Sequence, residues 1–179
     1  MPADAKPDWS RRPAAEEHAP YYRTYLTHVP DGDVLVTLDR EAEHLLQTLR
    51  SVPPDRERHA YAAGKWTIRE LVGHVIDAER VFAHRALWFA RAASTSLPGF
   101  EENDWARTSN ANDRPLAALG EELVAVRRAS VALLRSLDAA TLDRRGAANG
   151  VEFTVRAVAW ILAGHAMHHR RVLEERYLA

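Results

Sequence analysis

Three histidines stand within five residues of one another, at His165, His168 and His169. A neutral imidazole offers a nitrogen lone pair to a divalent metal ion, and two imidazoles one helical turn apart can share one ion. His165 and His169 have that spacing if their segment is helical. Thr154 to Leu173 reads as one helix, because Thr154 can cap the first turn and apolar residues recur at three and four. At about 100° per residue, Val158, Ile161, Leu162, Val172 and Leu173 fall within roughly 80° of His165. His169 is offset by about 40° toward the centre of that stripe, and His168 by about 60° away from it. His165 and His169 therefore point inward together, with His168 at the edge. An isolated pair of this kind is more often a hydrogen-bonded core histidine with surface neighbours, and a third ligand elsewhere would reverse that reading.

The helix that could supply it opens at Thr67, which has capping-box spacing to Glu70, and runs to about Ala93. Its apolar stripe is Ile68, Leu71, Val75, Phe82, Ala86 and Phe89. His74 lies about 80° from the centre of that stripe, beside Ala78, Val81 and Arg85. A flank residue of this kind faces either a neighbouring helix or solvent, and periodicity leaves both readings open. Asp77, one turn on, is a candidate to orient the His74 imidazole. Glu79 falls on the apolar stripe itself, where a lone carboxylate would be costly, so it needs an arginine or a metal ion as partner. Arg80 and His84 point outward.

These residues need a scaffold, and the pattern is that of an all-α four-helix bundle. Residues 1–20 mix Pro, Ala and charge without periodicity and are expected to form a poorly ordered arm, leaving 21–179 as a single domain. Tyr21, Tyr22, Tyr25 and Leu26 make an aromatic cluster suited to anchoring on the core. From Asp33, the run Leu35, Leu38, Ala42, Leu45, Leu46 and Leu49 gives a first amphipathic helix, ended by Val52-Pro53-Pro54, with His44 exposed. Ser94 to Arg114 is a long non-periodic connection. It could cross the bundle and wall a site, with Phe100 and Trp105 as lining and Glu102 or Asn103 as polar contacts. Asp113-Arg114-Pro115 starts a third helix bearing Leu116, Leu119, Leu123, Val126, Ser130, Leu133 and Leu137. Gly146 and Asn149-Gly150 mark turns in the last connection, and no strand alternation is evident.

Composition narrows the chemistry. The chain has 179 residues, 46% of them apolar, which suits one domain with a sizeable core. With 24 basic against 25 acidic residues there is no global field for nucleic acid or membrane, and pairs such as Arg127-Arg128 and Arg170-Arg171 read as solvated helix faces. The absence of cysteine excludes disulfides, thiolate metal sites and cysteine nucleophiles, so any metal must be held by nitrogen and oxygen. Without an apolar leader or a stretch long enough to span a bilayer, a cytoplasmic protein is expected.

The segments Tyr61-Ala62-Ala63-Gly64-Lys65-Trp66-Thr67-Ile68-Arg69-Glu70, Gly73-His74-Val75-Ile76-Asp77-Ala78-Glu79-Arg80 and Leu97-Pro98-Gly99-Phe100-Glu101-Glu102-Asn103 form an ordered set. Ala148-Asn149-Gly150 and Gly164-His165-Ala166-Met167-His168-His169 complete it. In this order and spacing the chain, from about residue 20 to 179, resembles the DinB superfamily of DinB/YfiT-like metalloproteins. The resemblance implies a four-helix bundle with crossover connections, often a homodimer, with a divalent metal on His74, His165 and His169. It also implies a metal-dependent transferase or isomerase using a low-molecular-weight thiol as cosubstrate. The expectation is a thiol S-transferase acting on small electrophiles, with zinc or nickel and with Glu79, Asp77 or Glu102 as polar helpers. Metal-assisted hydrolysis, and a non-catalytic metal-stabilised bundle that binds a ligand or partner, are the alternatives.

Overall fold

The computed structural model describes residues 6–179. Its long helices are α2 (Val34–Arg50), α3 (Ile68–Ala90), α5 (Leu116–Arg135) and α6 (Val155–Val172). Two short helices, α1 (Arg23–Leu26) and α4 (Glu102–Thr108), and a hairpin of β1 (Arg145–Ala148) and β2 (Val151–Thr154), accompany them. Local chemistry explains the helix starts. The Asp33 carboxylate accepts from the Leu35 amide, Thr67 and Glu70 form a reciprocal capping box, and Thr154 accepts from the Ala157 amide. Helix α5 starts after Pro115, while Asp113 belongs to a preceding single turn rather than to the cap. Helix α3 stops at Ala90, short of the expected Ala93, because Ala92 adopts a left-handed φ of 55°.

Helices α2 and α3 each pack on both α5 and α6. Helices consecutive in the bundle, α2 and α3 or α5 and α6, are thus joined across it, which explains the long connections. The first crosses through residues 51–67. The second contains the hairpin, whose Asn149 and Gly150 take φ values of 52° and 75°, the two-residue turn that matches strand twist. That hairpin corrects the expectation of no strands. Leu97 adds to its edge, with its amide donating to Ala147 and its carbonyl accepting from Asn149, so the loop before α4 is tied to the body.

The N-terminal segment also departs from expectation. Residues 1–5 of the expected arm lie outside the described residues, but the stretch from Trp9 to Glu17 is docked. Trp9 is buried, and its carbonyl accepts from the Val34 amide. Arg12 stacks over the Trp160 ring at 4.7 Å and donates to the Leu26 and Val29 carbonyls. Glu17 accepts from Thr154 Oγ1 at 2.7 Å and from Arg156 Nη2 at 2.8 Å, all three side chains being buried. These two glutamate contacts lie more than 130 positions apart in sequence, beyond any local pattern.

Two apolar clusters fill the bundle. One gathers Leu38, Ala78, Phe82, Phe89, Val131, Phe153, Val158 and Trp160, and the other Leu45, Leu49, Leu71, Ile76, Leu119, Leu123, Leu173 and Tyr177. Between them each long helix contributes polar groups: Glu41 from α2, Glu79 from α3, Arg127 from α5, and His165, His169 and Arg170 from α6. Arg127 donates to both Glu79 oxygens, at 2.8 and 2.7 Å, and to the Leu38 carbonyl at 2.7 Å. Arg170 donates to Glu41 at 2.7 Å. Neither Arg127 nor Arg170 is therefore the solvated helix face expected of it.

Gly164 lets α1 approach α6. A Cβ built there would stand 2.2 Å from the Tyr25 carbonyl oxygen, and backbone cannot swing aside. Gly164→Ala is therefore expected to lower stability by about 1–3 kcal/mol through overpacking, although alanine is favoured over glycine by about 1 kcal/mol in a helix. Denaturant titration reads the sign, and a stabilised variant would mean that α1 is not seated on α6.

Burial alone would raise the Glu17 carboxyl, but the Ala14 amide, the Thr154 hydroxyl and the Arg156 guanidinium together hold it below its ordinary value. Its contribution is thus present above the unfolded carboxyl value and is lost as pH falls through the lower folded one. Glu17→Ala should cost about 3 kcal/mol at neutral pH, with the gap from wild type closing on acidification, as urea titrations across pH would record.

Candidate metal centre

His74 lies on α3 and His165 and His169 on α6, one turn apart, and the packing of α3 on α6 turns all three rings to one point. His74 Nε2 is 3.1 Å from His165 Nε2, and His169 Nε2 is also 3.1 Å from it. His74 and His165 are buried, and His169 is partly covered with its Nδ1 inaccessible. Burial lowers His74 to about 4, and burial with the neighbouring rings takes His165 and His169 well below the ordinary histidine value. All three imidazoles are therefore neutral at physiological pH, the form that ligates metal.

The donor set fits a divalent ion. Among the described residues, three lone-pair-bearing edges converge with no carboxylate in the group, and two neutral imidazoles can share only one proton per contact. Two Zn–N bonds of about 2.05 Å at a tetrahedral ion would hold their nitrogens roughly 3.3 Å apart, close to the spacing seen. Three nitrogens leave further positions open, the arrangement of a catalytic rather than a closed structural site.

Aromatic rings frame the triad. Trp66 lies against His74 with centroids 4.6 Å apart, and its carbonyl accepts from the Tyr177 hydroxyl at 2.7 Å. Burial, with Tyr61 next, pushes that Tyr177 phenol up to about 12. Tyr25 meets His165 edge-on at 5.4 Å. Its hydroxyl lies 3.2 Å from that of Tyr21, and burial, then this hydrogen bond, raises its phenol far above the usual tyrosine value. Two cavities flank the centre. One, of about 260 Å³, is lined by His74, His165, Tyr25, Arg85 and Asn149; the other, of about 380 Å³, by His169, His168, Trp66 and Tyr61. Glu102 and Asn103 border both.

The expected polar helpers separate into three fates. Glu102 reaches the mouth, exposed on the first turn of α4. Glu79 is two-fold bonded to Arg127 and lines neither cavity, so its partner is an arginine and it is no longer a candidate for proton transfer. Asp77 is 3.7 Å from Arg80 and borders a separate apolar cavity with Trp105, so it does not orient His74; burial raises its carboxyl. Phe100 lines the 260 Å³ cavity as expected of that loop, whereas Trp105 is exposed and lies tilted against Phe100, with ring centroids 4.6 Å apart. His168 stays outside the triad, stacked on His28 at 5.8 Å.

Sequence reasoning treated Tyr25 as an anchor and passed over Trp66 and Arg85 as site residues. The signal for Arg85 was present, since it shares the flank of α3 with His74. Tyr25 and Trp66 carry no periodicity to place them.

Comparison with known proteins gives the same architecture. YfiT from Bacillus subtilis, described as a four-helix bundle of unusual topology and provisionally as a metal-dependent hydrolase, superposes with a TM-score of 0.72 at 16% identity. The superposition covers 93% of this chain and 91% of that one. Two relatives are provisionally named metal-dependent hydrolases. One, from Geobacillus kaustophilus, is 27% identical over 111 residues; the other, from Geobacillus thermodenitrificans, is 32% identical over 56. Those matches take in 61% and 31% of this chain and span 62% and 32% of the relatives' lengths. The sequence profile of the DinB superfamily matches residues 37–173, from within α2 to the residue after α6, and the chain belongs to that superfamily.

Proposed function

We propose that this protein is a divalent-metal enzyme that holds zinc or nickel on His74, His165 and His169 and joins a low-molecular-weight thiol to a small electrophile. The observation that carries the reading is the convergence of three imidazoles between two cavities sized for small molecules, His74 and His165 lining one and His169 the other. The ion supplies Lewis acidity, making a coordinated nucleophile acidic enough to react at neutral pH. The protein supplies the rest. Trp66 and Tyr25 keep water from the ring faces, and the protonated Tyr25 phenol is a hydrogen-bond donor for charge developing on the substrate.

Thiol is favoured over water by the carboxylates. Hydrolysis asks for a base beside the centre to take the proton of water. Glu79 is engaged by Arg127, Asp77 opens elsewhere, and Glu102 stands exposed at the rim. A free thiol, with an ordinary pKa near about 8.5, needs far less help. Hydrolysis is the second reading, supported by the position of Glu102 on both cavities and by the provisional names of the Geobacillus relatives.

Elemental analysis of protein purified without chelator or metal column should find about one zinc or nickel ion per chain, with His74→Ala and His165→Ala each losing it. A wild type without metal, and regaining none on dialysis against either ion, would overturn the metal site.

Assays with small electrophiles should then give product only when a thiol such as a cysteinyl sugar is added. Product without thiol, falling by about 100-fold in Glu102→Gln, would establish hydrolysis instead. Metal that raises the melting temperature while no substrate turns over would mark a ligand-binding bundle.

A further inference from the structure

Among the described residues three arginines are buried: Arg85, Arg127 and Arg156, at 3%, 2% and 2% exposure. Two of them are explained by buried glutamates, since Arg127 pairs with Glu79 at 2.7 Å and Arg156 with Glu17 at 2.8 Å. Arg85 is not. Among the described residues its Nε has no hydrogen-bond partner, and its polar neighbours are neutral, the Pro98 carbonyl 3.4 Å from Nη2 and the Tyr22 hydroxyl. Its guanidinium lies 5.1 Å from the Phe82 ring centroid, a modest attraction. No described Asp or Glu forms an ion pair with it, although Glu101 and Glu102 border the same cavity. A guanidinium is always charged, and a buried charge without an anion is costly.

The placement says what is missing. His74, Ala78, Phe82 and Arg85 follow at i, i+4, i+8 and i+11, so they form one row along α3, and all four line the 260 Å³ cavity that His165 also borders. Helical side chains lean toward the N-terminus, which turns Arg85 back along that row toward His74. A cavity of this size takes a molecule smaller than most ligand pockets hold.

We propose that Arg85 is the anion-recognition residue of this site, binding the carboxylate of a small organic acid whose reacting atom lies at the three-histidine centre. The inference rests on the functional reading above for the position of the reacting atom, and it narrows the substrate class to small carboxylates. The planar fork of arginine matches the two carboxylate oxygens, and the row from Arg85 to His74 sets the span between the acid group and the reacting atom.

The test uses the full chain as purified, with formate, acetate and benzoate as probes and benzamide as a neutral isostere of the last. At least one carboxylate should bind saturably by calorimetry and raise the melting temperature, while benzamide does not. Arg85→Met should weaken that binding at least tenfold, keep its full metal content, and melt no lower than wild type without ligand, because it removes an uncompensated buried charge. Arg85→Lys should bind more weakly than wild type and more tightly than Arg85→Met. His165→Ala should lose metal yet retain carboxylate binding, so the metal reading and this one can fail separately. No carboxylate binding, binding equal to that of benzamide, or binding that survives Arg85→Met and disappears in His165→Ala would overturn the proposal. So would an Arg85→Met chain that unfolds while Arg85→Lys folds and binds none of the acids, since the arginine would then be structural.

Discussion

Arg127 is the tie on which the interior depends. One buried guanidinium donates to Glu79 on α3 and to the Leu38 carbonyl on α2 from its own place on α5. Three of the four long helices are thus fixed in register at the level where the fourth presents His165 and His169. A buried ion pair adds little net stability over a well-packed apolar replacement, because desolvation offsets most of the attraction. What it supplies is discrimination: a helix slipped by one turn would leave Glu79 or Arg127 uncompensated. The positive charge also acts, after burial and the other histidines, to disfavour a proton on His165.

The polar level between the two apolar clusters is where the chain departs from the rule that cores are apolar. Such departures are expected at functional sites, with compensation elsewhere. Here the compensation can be traced group by group. Glu79 and Arg127 answer each other, as do Glu41 and Arg170, and Glu17 answers Arg156 at the end of the bundle where α6 begins. The histidines answer only one another.

Much of this was legible in the sequence, for reasons that differ by residue. The caps at Asp33, Thr67 and Thr154 are local chemistry, and the inward direction of His165 and His169 is periodicity. His74 stayed ambiguous because a wheel shows the flank of a helix without showing which helix lies beside it; the resemblance to the superfamily chose the reading that the packing of α3 on α6 displays. Glu79 was recognised as needing a partner, yet Arg127 was taken for a surface charge, since nothing in its own neighbourhood announces a carboxylate 48 positions away. The hairpin strands were missed because four residues on each side are too few to show alternation. The docked segment around Trp9 and Glu17 was missed because its partners are on distant elements, α6 above all.

That last feature bears on how the chain comes to be folded. Residues of α6 from Val155 to Ala166 are all buried, so this helix is the one around which the others close, and it is made after the other three long helices. Until it emerges from the ribosome, Arg12 and Glu17 lack their partners on it, and Tyr25 of α1 has no surface to cover. Contacts between such distant parts of the chain carry a large loop-closure entropy and slow the search for the native state. The three earlier long helices therefore lack the apolar surface on which they close until α6 has been made, and closure of the bundle waits on the last of the four.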